Sequence, residues 1–182
     1  MHIHTGLFDH MVLQRTAAQV SDASFSGECA LEGTVRACVL QDGAVVPGFA
    51  DRPVGEARLG RLTGRLQGVP VGGPYTIRLD VAPAGAGASA VIDDVLVGDV
   101  WMIAGQSNAQ GFGNRCDAEP PHPLVRAYYM DDRWAVAEDP IHNLDAAVHP
   151  VHAALCGGPA PRSSAKGVGP GVSFGVEMQR RT

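Results

Sequence analysis

No stretch of the 182 residues approaches the roughly 20 apolar positions that a membrane-spanning helix needs. The opening residues, MHIHTGLFDHMVLQR, have neither the basic flank nor the apolar core of a secretion signal. The chain therefore reads as soluble, with its compartment open, since a leader could have been removed. Basic clusters are missing as well. The 14 Lys and Arg against 19 Asp and Glu give a net charge of -5, spread along the sequence. That leaves no basic stripe for nucleic acid. Cys29, Cys38, Cys116 and Cys156 form no C-x-x-C pair, which argues against a zinc ribbon. Cys29 and Cys38 could face each other on neighbouring strands, although single thiols are the simpler reading. Aromatic residues make up only 5%, and long helical patterns are rare in the first half.

Glycine (23) and proline (13) are plentiful, so turn signals are frequent. Strand character occurs at residues 33–40 (GTVRACVL), 64–69 and 75–81 (YTIRLDV). The last alternates strictly, with Tyr75, Ile77, Leu79 and Val81 on one face. Residues 1–90 read as a small antiparallel, sandwich-like β domain. The stretch 82–90 (APAGAGASA) reads as a connection. Residues 95–104 (VLVGDVWMIA) are nearly continuous apolar sequence, the pattern of a parallel strand buried on both faces. Residues 125–137 suit a hairpin turning at Asp131-Asp132. Residues 138–167 are irregular, rich in Pro, His, Gly and Ala. In the closing GVGPGVSFGVEMQRRT, Pro170 suits a first helical turn. Val172, Phe174, Val176 and Met178 suit apolar contacts, and Arg180 and Arg181 suit a helix C-terminus.

The stretch AGQSNA (104–109) follows the apolar run. A serine hydroxyl is a poor nucleophile at neutral pH and needs a base and donors for a developing oxyanion. A serine on a strand-to-helix turn is held rigidly. Its own N–H lies at a helix start, where partial positive charge favours an oxyanion. Gly105 allows the tight turn, and Gln106 and Asn108 can support the loop through side-chain hydrogen bonds. Taken alone, G-Q-S-N is a weak signal, because serines after strands are often caps or turn residues.

Four blocks occur in order: FDHMVLQR (8–15), GGPYTI (72–77), VLVGDVWMIAGQSN (95–108) and GVGPGVSFG (167–175). Together they resemble the sialate O-acetylesterase family of carbohydrate esterases, within the SGNH hydrolase group. DPIHNLD (139–145) looks like related plant and bacterial acetylesterases. The resemblance implies an α/β chain in which the β domain precedes a three-layer α/β/α hydrolase domain, here its N-terminal portion at 91–182. It implies a serine esterase that removes acetyl groups from sialic acid or another sugar through an acyl-enzyme. It makes Ser107 the nucleophile, with the N–H groups of Ser107 and Gly169 as oxyanion donors. Asp99 and Trp101 match a family strand and read as structural. The family carries a QGE-like block and a later Asp-x-x-His pair. This chain has no QGE, and its one match to the pair, Asp139 with His142, lies upstream of Gly169 and reads as coincidence. The expectation is a nucleophile whose base and acid come from outside these residues, from a C-terminal segment or a second chain.

Other constellations read as ordinary structure. His142, His149 and His152 have no carboxylate at metal-site spacing, so no metal and no cofactor is expected. His2 and His4 suit a frayed terminus, Asp93-Asp94 and Asp131-Asp132 suit turns, and Trp101 and Trp134 suit a core. The expected partner is an O-acetylated carbohydrate, with no nucleic acid and no membrane. The rival function is a non-catalytic β-sandwich module that binds carbohydrate or a protein, followed by an inactive hydrolase remnant. A third is an SGNH-type esterase of lipid or thioester substrates.

Overall fold

Tyr75, Ile77, Leu79 and Val81 are buried along one face of a strand, as their spacing predicts. The computed structural model describes residues 1–81, 87–151 and 167–182. Its Cα packing divides the chain into Met1–Val100 and Trp101–Thr182. Part of the expected connection (82–86), together with His152 and Cys156, lies outside the described residues.

The described residues of the first unit form nine strands. They are β1 (His2–Thr5), β2 (Val12–Gln14), β3 (Val20–Glu28), β4 (Gly33–Gln41), β5 (Ala44–Val45), β6 (Arg52–Arg58), β7 (Arg61–Pro70), β8 (Gly72–Val81) and β9 (Ala88–Gly98). Their order is β1-β3-β7-β6-β4-β8-β9-β2, with β5 beside β4. Pairing is antiparallel except between β2 and β9. This order forces the sheet to curl. In a flat sheet β3 and β2 would stand about 29 Å apart at the usual interstrand spacing. The link from Gln14 to Val20 spans at most about 23 Å. It is in fact a closed turn, in which Thr16 N–H donates to Val20 O (2.8 Å) and Ser21 Oγ donates to Gln14 O (2.8 Å).

The inward face of the curl carries Val35, Ala37 and Val39 of β4, Leu62, Leu66 and Val69 of β7, the β8 quartet, and Ile92, Val95 and Val97 of β9. Burying each large aliphatic side chain contributes about 1.5–3 kcal/mol. Gly64 lies opposite Phe25, and a Cβ there would stand 2.3 Å from the Phe25 ring. The ring thus covers the bare backbone of its cross-strand partner.

Several expectations change. Cys29 and Cys38 are free, the simpler of the two readings, while β3 and β4 are not the neighbouring strands of the other. His2 and His4 lie in β1, paired with β3, rather than on a frayed end. Asp93-Asp94 is a bulge within β9 and not a turn, since Tyr75 and Ile77 of β8 face Val95 and Ile92. Asp94 takes the left-handed φ of 57° that the extra residue requires. Residues 88–90 are strand, not connection.

The expected buried strand at 95–104 is half right. Val95–Val97 are buried between β8 and β2, but strand pairing stops at Gly98. Trp101, Met102 and Ile103 are exposed, Met102 at 93%. Apolar composition alone does not supply a sheet neighbour, and none of the described residues pairs with this stretch. Trp101 is therefore not a core residue; its ring meets Phe174 edge-on at 5.5 Å.

In the second unit, β10 (Arg126–Tyr128) and β11 (Trp134–Val136) form the expected hairpin, with Asp132 at φ 57° in its turn. Its helices among the described residues include α1 (Ser107–Gln110) and α2 (Gly171–Arg181). Val172 and Val176 of α2 are buried against Val125 and Ala137, with Ala127 and Ile141 beside them. Phe174 and Met178 lie off that face, because helical spacing selects positions four apart. Gly175 lets α2 approach, since a Cβ would meet Val125 Cγ1 at 2.6 Å. The described residues are thus mostly β-sheet with few helices. No helix among them is long and apolar enough to cross a membrane.

Two tests follow from the first unit. Gly64→Ala should cost about 1–3 kcal/mol by displacing the Phe25 ring, read as a lowered denaturant midpoint with an unchanged slope. The second concerns Asp99, which Arg15 holds with two donors, Nε to Oδ1 (2.8 Å) and Nη2 to Oδ2 (2.7 Å). The hydrogen bond from Arg15, and then its charge, hold the Asp99 carboxyl below its ordinary pKa. Stabilisation from this pair is present above the unfolded carboxyl pKa of about 3.9 and is lost as pH falls through the lower folded value. Asp99→Asn should lower the melting temperature at pH 7 by a few degrees. Wild type and variant should converge as the pH falls below about 4.

Candidate active site

Ser107 opens α1, a single turn whose bonds run from Gln110 N–H to Gln106 O (2.9 Å) and from Gly111 N–H to Ser107 O (3.1 Å). Gln106 precedes it at φ -116° and makes no side-chain cap. Ser107 is exposed, as are Gly105, Gln106 and Asn108. Gly105 has a steric reason to lack a side chain, since a Cβ would come within 2.7 Å of Ala109 Cβ. Gln106 and Asn108 make no side-chain hydrogen bond among the described residues, so the loop support expected of them is not present there. Four residues also carry little macrodipole. The helix-start argument for an oxyanion at Ser107 is therefore reduced to local N–H groups.

Behind α1 the chain passes through Gly111, at φ 112°, and meets the GVGPG block. Gly113 N–H donates to Val168 O (3.0 Å) and Val168 N–H to Gly113 O (3.1 Å). Gly167 N–H donates to Gly111 O (3.1 Å). The approach tolerates no side chain at Gly167, where a Cβ would lie 2.1 Å from Gly113 O. Gly169 sits against the end of α1, its Cβ position 3.1 Å from Ala109 O. The structure thus joins the two blocks that carry Ser107 and Gly169, 62 positions apart in the sequence.

Asp139 enters the same place. Its Oδ1 accepts from Gly169 N–H at 3.2 Å, and the residue is only 8% exposed. Its Oδ2 is buried without a hydrogen-bond partner among the described residues. Tyr129 fixes the approach to it: the phenol oxygen accepts from Glu138 N–H (2.8 Å) and bonds to Val136 O (2.9 Å). Burial pushes the Tyr129 phenol above its ordinary pKa. A shallow groove of about 350 Å³ opens beside these residues, lined by Arg115, Tyr129, Arg133, Glu138, Asp139 and Pro140. Arg133 lies over the Tyr129 ring, 5.1 Å from its centre, and bonds to Asp131.

Residues 97–182 match the family model of carbohydrate esterases described as sialic acid-specific acetylesterases. The match takes in Ser107, Asp139 and Gly169 and supports an ester hydrolase at the level of the family. No curated protein matches the chain.

No histidine or carboxylate among the described residues hydrogen-bonds to the Ser107 hydroxyl. His142 is half-buried and His149 exposed. No three metal-ligating side chains converge among the described residues. Asp139 is the residue that sequence reasoning passed over. Its signal was present in DPIHNLD, but the pattern sought there was a base-and-acid pair, and its observed partner is a backbone N–H. Gly167→Ala should break the pairing of the two glycine segments. Hydrogen exchange should show it as lost protection at the Gly113 and Val168 amides, with the β unit unaffected.

Proposed function

We propose that this chain carries the nucleophile of a serine esterase that removes O-acetyl groups from sialic acid or a related sugar. The junction of the Ser107 and GVGPG segments carries the reading, because an acyl-transfer site needs a nucleophile and oxyanion donors in one place. In this reading Ser107 Oγ attacks the acetyl carbonyl, the alkoxide of the sugar leaves with a proton, and water releases acetate from the acyl-serine. The N–H groups of Ser107 and Gly169 serve the tetrahedral oxygen. A histidine base and its orienting acid come from residues other than the described ones. The exposed 101–104 stretch becomes a sheet strand of a three-layer hydrolase domain when a neighbour is supplied. The family match over 97–182 supports the substrate class.

A serine without its base turns over slowly, and added imidazole can stand in for a missing histidine. Hydrolysis of an O-acetylated sialic acid by residues 1–182 should therefore be slow and should rise with imidazole in wild type. Ser107→Ala should remove that imidazole-dependent component and leave the rate at the level of the reaction without protein. An imidazole response of equal size in Ser107→Ala would leave the serine without a role and favour an inactive remnant behind a binding module.

A further inference from the structure

We propose that Asp139 is a positioning residue of the candidate site, holding the Gly169 amide in place until an oxyanion takes over its N–H. This rests on the reading of Ser107 as a nucleophile. Asp139 is the one buried charged side chain among the described residues. No cation among them pairs with it, and its Oδ2 has no hydrogen-bond partner among them. A half-satisfied buried carboxylate costs stability, so a task outside stability is the economical reason for it.

The turn it touches defines that task. Gly167 and Val168 spend their N–H groups on Gly111 and Gly113, and Pro170 has none. Gly169 N–H is therefore the one donor of residues 167–170 outside backbone pairing, and Asp139 Oδ1 holds it. The distance of 3.2 Å is long for a charge-assisted bond, which usually falls near 2.7–2.9 Å. An oxyanion at normal distance would win the donor. Until then the carboxylate keeps the amide plane, and so the direction of its N–H, fixed. The carboxylate is itself fixed from both sides. Tyr129 clasps Glu138, and Ile141 packs beneath Gly171, whose Cβ position lies 2.9 Å from Ile141 Cδ1.

The test compares Asp139→Ala, which removes the acceptor, with Asp139→Asn, which keeps an oxygen without the charge. Ser107 labelling by a fluorophosphonate, with imidazole present, gives the rate, and the Gly169 amide resonance gives the geometry. In Asp139→Ala the Gly169 amide should move and labelling should slow roughly 10–100-fold, as for a misplaced catalytic group. In Asp139→Asn both should stay near wild type, which a purely structural charge would not explain. Near-UV circular dichroism identifies an unfolded Asp139→Ala. Asp139→Asn then decides alone: retained labelling supports positioning and lost labelling overturns it. Wild type labelled at Ser107 with a folded Asp139→Ala labelled equally fast sinks the positioning role alone. Wild type not labelled above Ser107→Ala sinks the esterase reading and this proposal with it.

Discussion

The close backbone approach of residues 111–113 to residues 167–169 is the contact on which the candidate site depends. It needs bare backbone on both sides, since a Cβ at Gly167 would lie 2.1 Å from Gly113 O and one at Gly111 would lie 2.7 Å from Gly167 O. With both positions glycine, three N–H···O bonds form and the chain beyond Ser107 is fastened to the GVGPG turn. The turn then leads directly into α2, whose Val172 and Val176 anchor it on the second unit's small core. Among the described residues that core is small, and local hydrogen bonds and glycine contacts hold the site residues.

In the first unit the corresponding constraint is the short link from β2 to β3, which curls the sheet and sets β2 beside β9. That pairing brings LQR of the first block against GDV of the third. Arg15 N–H donates to Gly98 O (2.8 Å), the Arg15 guanidinium holds Asp99, and Gln14 Oε1 accepts from Val100 N–H (2.8 Å). Gly98, Asp99 and Val100 are each held, a few residues before the serine. Asp99 is thereby a structural residue, in keeping with its reading in the sequence.

The sequence was most informative where one side of an element faces a core. The alternation at Tyr75, Ile77, Leu79 and Val81 predicts both the strand and its buried face. The Asp131-Asp132 turn predicts the hairpin, because left-handed φ is cheap for Asp. The Val95 to Ala104 run was misleading past Gly98, because hydrophobicity signals a wish for burial and not the presence of a neighbour. Val172 and Val176 were legible as core contacts, and Phe174 makes its apolar contact with the Trp101 ring instead of that core. Ser107 and Gly169 could be found as motif positions. The contact of Asp139 with Gly169 could not be read, because a carboxylate that bonds to a distant backbone N–H leaves no spacing signature.

The most direct test of Ser107 as the nucleophile is to trap the acyl-enzyme. The chain would be mixed with an O-acetylated sialic acid in the presence of imidazole, quenched in acid and mapped by peptide mass spectrometry. The account predicts an acetyl group on the peptide bearing Ser107 and none in Ser107→Ala. Turnover with the acetyl group on another residue, or with no acyl-serine at any quench time, would contradict it.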